Sequence, residues 1–171
     1  MLKEHLKNRH LDLSRHKVWL DEEKGVATFP LTDLCGKMLG YQLYRPSGDK
    51  SIRNSPNGKY YTYTTNENFH PWGMESWSFS NTLFLTEGLF DAARLTERGY
   101  SALAMLSNNP KQWWSVFKFF MMIRPTVVVA DNDAAGKYLV KYGQRHVFAP
   151  EGYDLNSAPD EWVNELLEGV E

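Results

Sequence analysis

The sequence is poor in three things, and each shortage excludes something. It holds a single cysteine, Cys35, in 171 residues. One thiol cannot close an intramolecular disulfide, which removes the small oxidised scaffolds and points to a reducing compartment, the cytoplasm. With no Cys-x-x-Cys and only five scattered histidines, no zinc ribbon is expected either. Long apolar runs are the second shortage. The longest, around Val116 to Ile123, is interrupted by Lys118, well short of the roughly 20 residues that span a bilayer. The opening Met1-Leu2-Lys3-Glu4-His5-Leu6-Lys7 lacks the apolar core of a secretory signal, so no membrane partner is expected. The third shortage is charge of one sign, the net charge being −2. The distribution says more. Residues 1–70 carry 11 Lys and Arg against 8 Asp and Glu, whereas residues 71–171 carry 8 against 13. A mildly basic front beside an acidic back suits a polyanion-binding part next to a metal-binding part, and ordinary surface variation gives the same numbers.

What is present is globular. The chain is 42% hydrophobic and 14% aromatic, enough for one core and a smaller accessory lobe. Residues 1–17 read as a short helix or a pair of turns. Strand-like stretches follow at 17–20, 25–30 and 38–44, with a hairpin turn at Asp33-Leu34-Cys35-Gly36-Lys37. Residues 45–60, with Pro46, Gly48, Pro56 and Gly58, read as loop. From residue 82 strands and helices alternate. Strands 83–86, 101–105, 126–130 and 146–149 are separated by helices over about 89–98, 110–122 and 134–142, and a last helix begins near Asp160. Pro110 is suited to the first turn of the second helix. This order predicts an α/β fold with a mainly parallel sheet and helices on both faces. A small α+β lobe precedes it. The expected division is 1–75 and 76–171, with Pro71-Trp72-Gly73 near the junction.

The chemistry lies where the apolar strands end. Leu83-Phe84-Leu85-Thr86 runs into Glu87-Gly88, and Thr126-Val127-Val128-Val129-Ala130 runs into Asp131-Asn132-Asp133. In open α/β sheets the carboxyl edge of the strands is where sites form. Clustered carboxylates there are the usual protein part of a divalent-metal site acting on phosphate. Gly88 permits a tight strand-to-helix turn. Asp91 falls in the first turn of the next helix, where a negative charge also favours the helix dipole. Asp133 is equally suited to capping a helix. After the fourth strand, Asp154-Leu155-Asn156 brings oxygen donors to the same edge, or forms a polar turn.

Taken together and in order, Glu87-Gly88-Leu89-Phe90-Asp91, Asp131-Asn132-Asp133-Ala134-Ala135-Gly136 and Asp154-Leu155-Asn156 resemble the pattern of Toprim modules, which occur in primases, topoisomerases and certain nucleases. The flanking sequence narrows the resemblance. Ala27-Thr28-Phe29-Pro30-Leu31-Thr32-Asp33, followed by Gly36 and Gly40-Tyr41, resembles the Phe-Pro-Ile-x-Asp stretch of bacterial and phage DnaG-type primases. Arg53-Asn54-Ser55-Pro56 resembles their Asn-Ser-Pro element, and Leu6-Lys7-Asn8-Arg9-His10-Leu11 looks like the short helix that opens their catalytic region. The resemblance runs along nearly the whole chain.

That resemblance implies a Toprim fold and metal-dependent synthesis of short RNA primers on single-stranded DNA. It implies that Glu87, Asp131 and Asp133 are catalytic. It further implies that these three, with Asp154 and Asp91, hold Mg²⁺ or Mn²⁺, two ions in the family's mechanism. The front lobe is then expected to bind nucleic acid and nucleoside triphosphates through Arg45, Lys50, Arg53, Asn54 and Lys59. These cations interleave with Tyr41, Tyr44, Tyr60, Tyr61 and Tyr63, whose rings can stack on bases or simply pack on a strand surface. Lys3, Lys7, Arg9, Arg15 and Lys17 are explained equally well by a solvated helix face.

The sequence departs from the family in lacking its zinc-binding module and a following helicase part. It also has Leu106-Ser107-Asn108-Asn109 where a glycine is usual and Asn156 where many relatives have aspartate. A minimal core in phage or plasmid replication, working with a separate helicase or template-recognition subunit, fits these departures. A Toprim nuclease and a non-catalytic replication or host-interaction accessory are the other readings.

Overall fold

In a computed structural model the described residues are 1–33, 35–65, 71–76, 80–107, 110–111 and 114–170. The front of the chain opens with helix α1 (Leu2–Lys7) and continues into an antiparallel sheet. Its strands are β1 (Trp19–Asp21), β2 (Val26–Thr32), β3 (Met38–Tyr44) and β4 (Tyr60–Thr64), in the order β1-β2-β3-β4. The back half forms a second sheet from β5 (Leu83–Thr86), β6 (Ser101–Ala104), β7 (Thr126–Ala130) and β8 (Arg145–Phe148). Its order is β6-β5-β7-β8, and every pairing is parallel. Helices α2 (Leu89–Glu97), α3 (Trp114–Ile123) and α4 (Asp160–Glu168) complete the chain.

Every residue of β5, β6 and β7 is buried, as expected of parallel strands covered on both faces. The two faces sort by alternate residues. Phe84, Ala102, Ala104, Val127 and Val129 face one core, which α2 and α4 complete with Phe90, Leu95, Val163 and Leu167. Leu83, Leu85, Leu103, Val128 and Ala130 face the other, closed by Phe117 and Phe120 of α3. Each fully buried Leu or Phe is worth roughly 1.5–3 kcal/mol relative to exposure, so this alternation fixes which way β5 and β7 face. No helix among the described residues is long and apolar enough to cross a membrane.

The first core does not stop at the parallel sheet. Ala27, Phe29, Leu31 and Tyr44 of the antiparallel sheet, and Leu2 and Leu6 of α1, belong to it. The antiparallel strands all precede residue 75 and the parallel strands all follow 76, yet their side chains share this interior. Trp72 joins the two. Its backbone exchanges hydrogen bonds with Ala104 (2.9 and 3.0 Å), extending the edge of the parallel sheet. Its indole, fully buried, lies 4.5 Å from the His16 ring and 6.2 Å from Phe29. The expected junction is therefore a packed seam rather than a linker.

Three local expectations change. Residues 60–64, of which 60 was assigned to a loop, form β4, paired with β3 from Gly40↔Thr64 to Tyr44↔Tyr60. The helix expected from Pro110 begins at Trp114, and residues 108–109 and 112–113 lie outside the described residues. The helix expected over 134–142 is replaced by two 3-10 turns, Gly136–Tyr138 and Val140–Tyr142. Here Asp133 Oδ1 accepts the Gly136 N–H at 2.7 Å, coiling the chain tightly before β8 begins at Arg145. The hairpin turn at 33–37 forms around Asp33, whose Oδ1 accepts the N–H groups of Cys35 and Lys37 at 2.9 Å each; Leu34 lies outside the described residues.

Candidate active site

Strand register decides which carboxylates meet. Thr86 pairs with Val129 across β5 and β7, and Ala130 pairs with Phe148 across β7 and β8. Glu87, Asp131 and the 150–156 loop thus leave the sheet along one edge, on three adjacent strands. They open into a cleft of about 460 Å³. Glu87, Asp91, Asp131 and Asp154 line it together with Arg9, Lys50, Arg53, Gln42 and Tyr60, so carboxylates and cations share one cleft. A larger depression of about 630 Å³ lies beside α1, but its lining alternates Lys3 and Lys7 with Glu4 and Asp12 and gathers no charge of one sign.

Two glycines permit the acidic part of this lining. A Cβ on Gly136 would lie 2.1 Å from the Asp131 carbonyl oxygen, so only glycine lets the turn close under that residue. Gly88 has an extended backbone (φ −95°, ψ 151°), so the freedom of glycine to take positive φ is not what it supplies. What matters is space: a Cβ there would stand 2.4 Å from Asp91 Oδ2, which accepts the Gly88 N–H at 3.2 Å. Gly136→Ala is expected to lose about 1–3 kcal/mol, the usual cost of forcing an atom into a packed site. Thermal melting would register this as a lower midpoint, and an unchanged midpoint would refute the close approach.

Burial, and after it the neighbouring carboxylates, raises the pKa of Glu87, Asp131 and Asp91. Glu87 is pushed above its ordinary value, first by burial, then by Asp131 and Asp133. Asp131 is pushed up by burial, then by Asp154 and Asp133, with Lys50 opposing. Asp91 is pushed up to about 7 by burial, then by Asp154 and Asp131. Among the described residues Glu87, Asp131, Asp133 and Asp154 make no ion pair. A set of neighbouring carboxylates that repel each other and are not ion-paired fits a hard divalent metal such as Mg²⁺ or Mn²⁺. Among the described residues no three such side chains converge as a ready-made metal cage. Mg²⁺ does not require one, since it retains several waters and uses one or two carboxylates together with substrate phosphates.

The expected site residues separate by role. Glu87 and Asp131 face the cleft. Asp133 is exposed, does not line the cleft and spends one oxygen on Gly136. Asp154 lines the cleft, and its Oδ1 accepts the Ser157 N–H at 2.8 Å. Both oxygens of Asp91 are engaged by backbone, Oδ2 by Gly88 and Oδ1 by the Asn156 N–H at 2.9 Å. Asn156 spends its side chain on protein: Oδ1 accepts from Arg9 Nε at 2.9 Å, and Nδ2 donates to the carbonyls of Arg9 and Phe90.

Of the basic residues, Lys50 and Arg53 line the cleft, and with Asn54 they continue into an adjoining groove of about 300 Å³ bordered by Tyr61 and Leu106. Lys59 lies outside that lining. Its ammonium is held below its ordinary value by burial, then by Lys50 and Arg9, so these cations crowd one another. Arg45 is half-buried and turned away from the cleft, with Nη1 buried and unpartnered. The tyrosines divide. Tyr44 and Tyr60 point inward, their hydroxyls each 3.4 Å from Arg9 Nη1. Tyr41 and Tyr63, 5.3 Å apart, stack on the outer face.

Sequence reasoning missed Arg9. It is carried inward after α1, where His10 adopts φ 60°, and its guanidinium lies 3.9 Å over the Phe90 ring. The ring, two tyrosines and Asn156 that hold it come from four separate segments, so spacing alone gave no signal. Leu106 is the second surprise. It borders both cleft and groove in the left-handed region, φ 53°, with its N–H donating to the Glu87 carbonyl at 2.9 Å. Such a conformation costs a residue other than glycine of order 1–3 kcal/mol. The missing glycine in the sequence was the signal for it.

Compared by sequence, the chain matches no family model and no curated protein. Compared by structure, it is similar to solved DnaG-type primase cores. A structure described as the DnaG catalytic core aligns with a TM-score of 0.68 over 97% of this chain and 72% of that one, at 15% identity. A DnaG primase catalytic domain bound to single-stranded DNA gives 0.62 over 97% of this chain and 60% of its own, at 16% identity. The Aquifex aeolicus primase, comprising zinc-binding and RNA polymerase domains, gives 0.60 over 99% of this chain and 45% of its own, at 23% identity. The fold defines the class: a mixed α/β protein with one parallel and one antiparallel sheet, arranged as in primase catalytic cores.

Proposed function

We propose that this chain is a metal-dependent nucleotidyltransferase of the DNA-primase type, built on a Toprim centre, that makes short RNA primers on single-stranded DNA. The observation that carries the reading is the cleft itself. Glu87 and Asp131 line it together with Lys50, Arg53 and Arg9, on a fold similar to that of DnaG catalytic cores. Nucleoside triphosphates and a DNA strand are polyanions, and these cations neutralise their phosphates. Glu87 and Asp131, with Asp154 and Asp133 beside them, hold Mg²⁺ or Mn²⁺. The bound metal supplies Lewis-acid stabilisation of charge on the reacting phosphate. Lys50 and Arg53 orient the triphosphate beside the carboxylates, and the closed packing behind Glu87 and Asp131 keeps both fixed while substrates exchange. The chain works in the cytoplasm, as a core for phage or plasmid replication beside a separate helicase or template-recognition subunit.

The test uses the purified chain, Mn²⁺ or Mg²⁺, single-stranded DNA and labelled nucleoside triphosphates. Short labelled oligomers are expected, reduced at least about 10²-fold by Glu87→Ala, a typical loss for removing a group that stabilises developing charge. Shortened DNA without incorporation would replace this reading with a nuclease. DNA binding with neither product would replace it with an accessory role.

A further inference from the structure

Asp91 is not alone in holding the 154–158 loop. One turn later on α2, Arg94 is buried and turns its guanidinium onto the same segment. Its Nη1 donates to the carbonyls of Leu155 (2.7 Å), Asn156 (3.2 Å) and Ala158 (2.6 Å), and its Nη2 donates to Asp160 Oδ1 (2.7 Å). Positions three apart share a helix face. That face of α2 therefore takes the loop's amide through Asp91 and gives to its carbonyls through Arg94. Burying a guanidinium away from water is costly unless its donors are used; here Nη1 and Nη2 are used, while Nε is buried without a partner among the described residues.

The loop so held supplies two residues of the cleft region. Asp154 stands at its start and lines the cleft. Asn156, at its centre, ties to Arg9, another lining residue, through two hydrogen bonds. We propose that Arg94 is a positioning residue: acting through the 154–158 loop, it holds Asp154 where a metal would bind and, through Asn156, holds Arg9 in the same cleft. This deepens the function proposed above and rests on it for the meaning of the metal site. Nothing in it requires Arg94 to touch substrate.

The test is a double-mutant cycle on the full chain, read by calorimetric titration with Mn²⁺ alone. Asp154→Asn weakens Mn²⁺ binding by removing a donor. Arg94→Lys, which keeps the charge but cannot reach the loop carbonyls and Asp160 at once from a single nitrogen, is expected to weaken it about 5- to 10-fold, in the range that supporting residues of metal sites show. In the Asp154→Asn background Arg94→Lys should then add nothing further, because its effect passes through Asp154. Losses that multiply, or an Arg94→Lys variant with wild-type affinity, would overturn the proposal.

A second readout needs no metal. Amide hydrogen exchange at Asn156 to Ala158 should rise at least about tenfold in Arg94→Lys while β5 and β7 keep their protection. Uniform loosening of the whole molecule would mean a merely structural role. Should Arg94→Lys fail to fold, Asp160→Ala at an exposed position releases one guanidinium nitrogen and should give the same pattern two- to threefold. A wild-type chain that takes up no Mn²⁺ sinks the metal-dependent reading, and the exchange pattern then decides the clamp by itself. A chain that binds Mn²⁺ and makes no primer sinks only the function.

Discussion

Asp131→Asn is expected to cut primer synthesis by about 10²–10³-fold and, in metal-free solution at neutral or higher pH, to raise the melting temperature. Both outcomes follow from one arrangement. Burial and the neighbouring Asp154 and Asp133 hold the Asp131 carboxyl above its ordinary value, so its charged form is worse off folded than unfolded. A carboxyl with a raised folded pKa costs stability once the pH passes its unfolded value, and the cost grows until the pH passes the folded one. Asparagine keeps the shape and removes the charge. The gain should therefore grow as the pH rises above about 4 and vanish below about pH 3, where the carboxyl is protonated in both the folded and unfolded chain. The larger shift of Asp91, from 3.8 to about 7, makes the same region lose stability between about pH 4 and 7. Mg²⁺ is expected to reverse the order: bound to the folded wild type it would add stability by mass action, about 2.7 kcal/mol at a hundredfold excess over its dissociation constant, whereas the variant should gain little. Equal activity of the two proteins, or a lower metal-free melting point for the variant at pH 8, would contradict this account. A site that destabilises its own empty fold is a familiar trade of stability for function.

The second large effect is structural. Trp72→Ala should cost about 3–5 kcal/mol, the usual range for truncating a buried aromatic. For a chain of this size that is a fall of about 10 °C in melting temperature, and a large share of the stability an ordinary domain has. The indole fills the space between His16, Phe29 and the edge of β6, where no neighbour can collapse to replace it. The variant should still unfold in one transition, because the antiparallel and parallel sheets share a core. Circular dichroism and tryptophan fluorescence followed through urea would check both points. Two separated transitions, with only one displaced by the substitution, would show that the halves fold independently and that the seam at Trp72 is not what joins them.

Much of the parallel half was legible because its signals are local. Thr126-Val127-Val128-Val129-Ala130 can hardly be other than a strand covered on both faces, and a carboxylate directly after it must lie on the strand's carboxyl edge. What was not legible depended on contacts between distant segments. Tyr60-Tyr61-Thr62-Tyr63-Thr64 has a strand's composition, yet it follows a loop rich in proline and glycine, and only β3 makes it a strand. Ala134-Ala135-Gly136 looks like the start of a helix. The Asp133 side chain and the contact between Gly136 and Asp131 instead close a tighter turn. Asp91 and Asn156, oxygen-bearing residues that spacing offered as ligands, are engaged by backbone and by Arg9. Arg9 itself belonged to a run of cations that a solvated helix would explain, until Phe90, Tyr44 and Tyr60 came round it.

The tie between Arg9 and Asn156 spans 147 positions of the chain, and it has a consequence for the order in which the molecule is made. Contacts of such separation demand that loop-closure entropy be met before they return anything. While the polypeptide is leaving the ribosome, β5 and α2 can collapse against Phe84 and Leu95 as soon as they emerge. The bond between Arg9 and Asn156 cannot form until residue 156 is out. Chains cut short before that point hold Glu87 and Asp131 without the tie that secures Arg9, so their cleft is left incomplete.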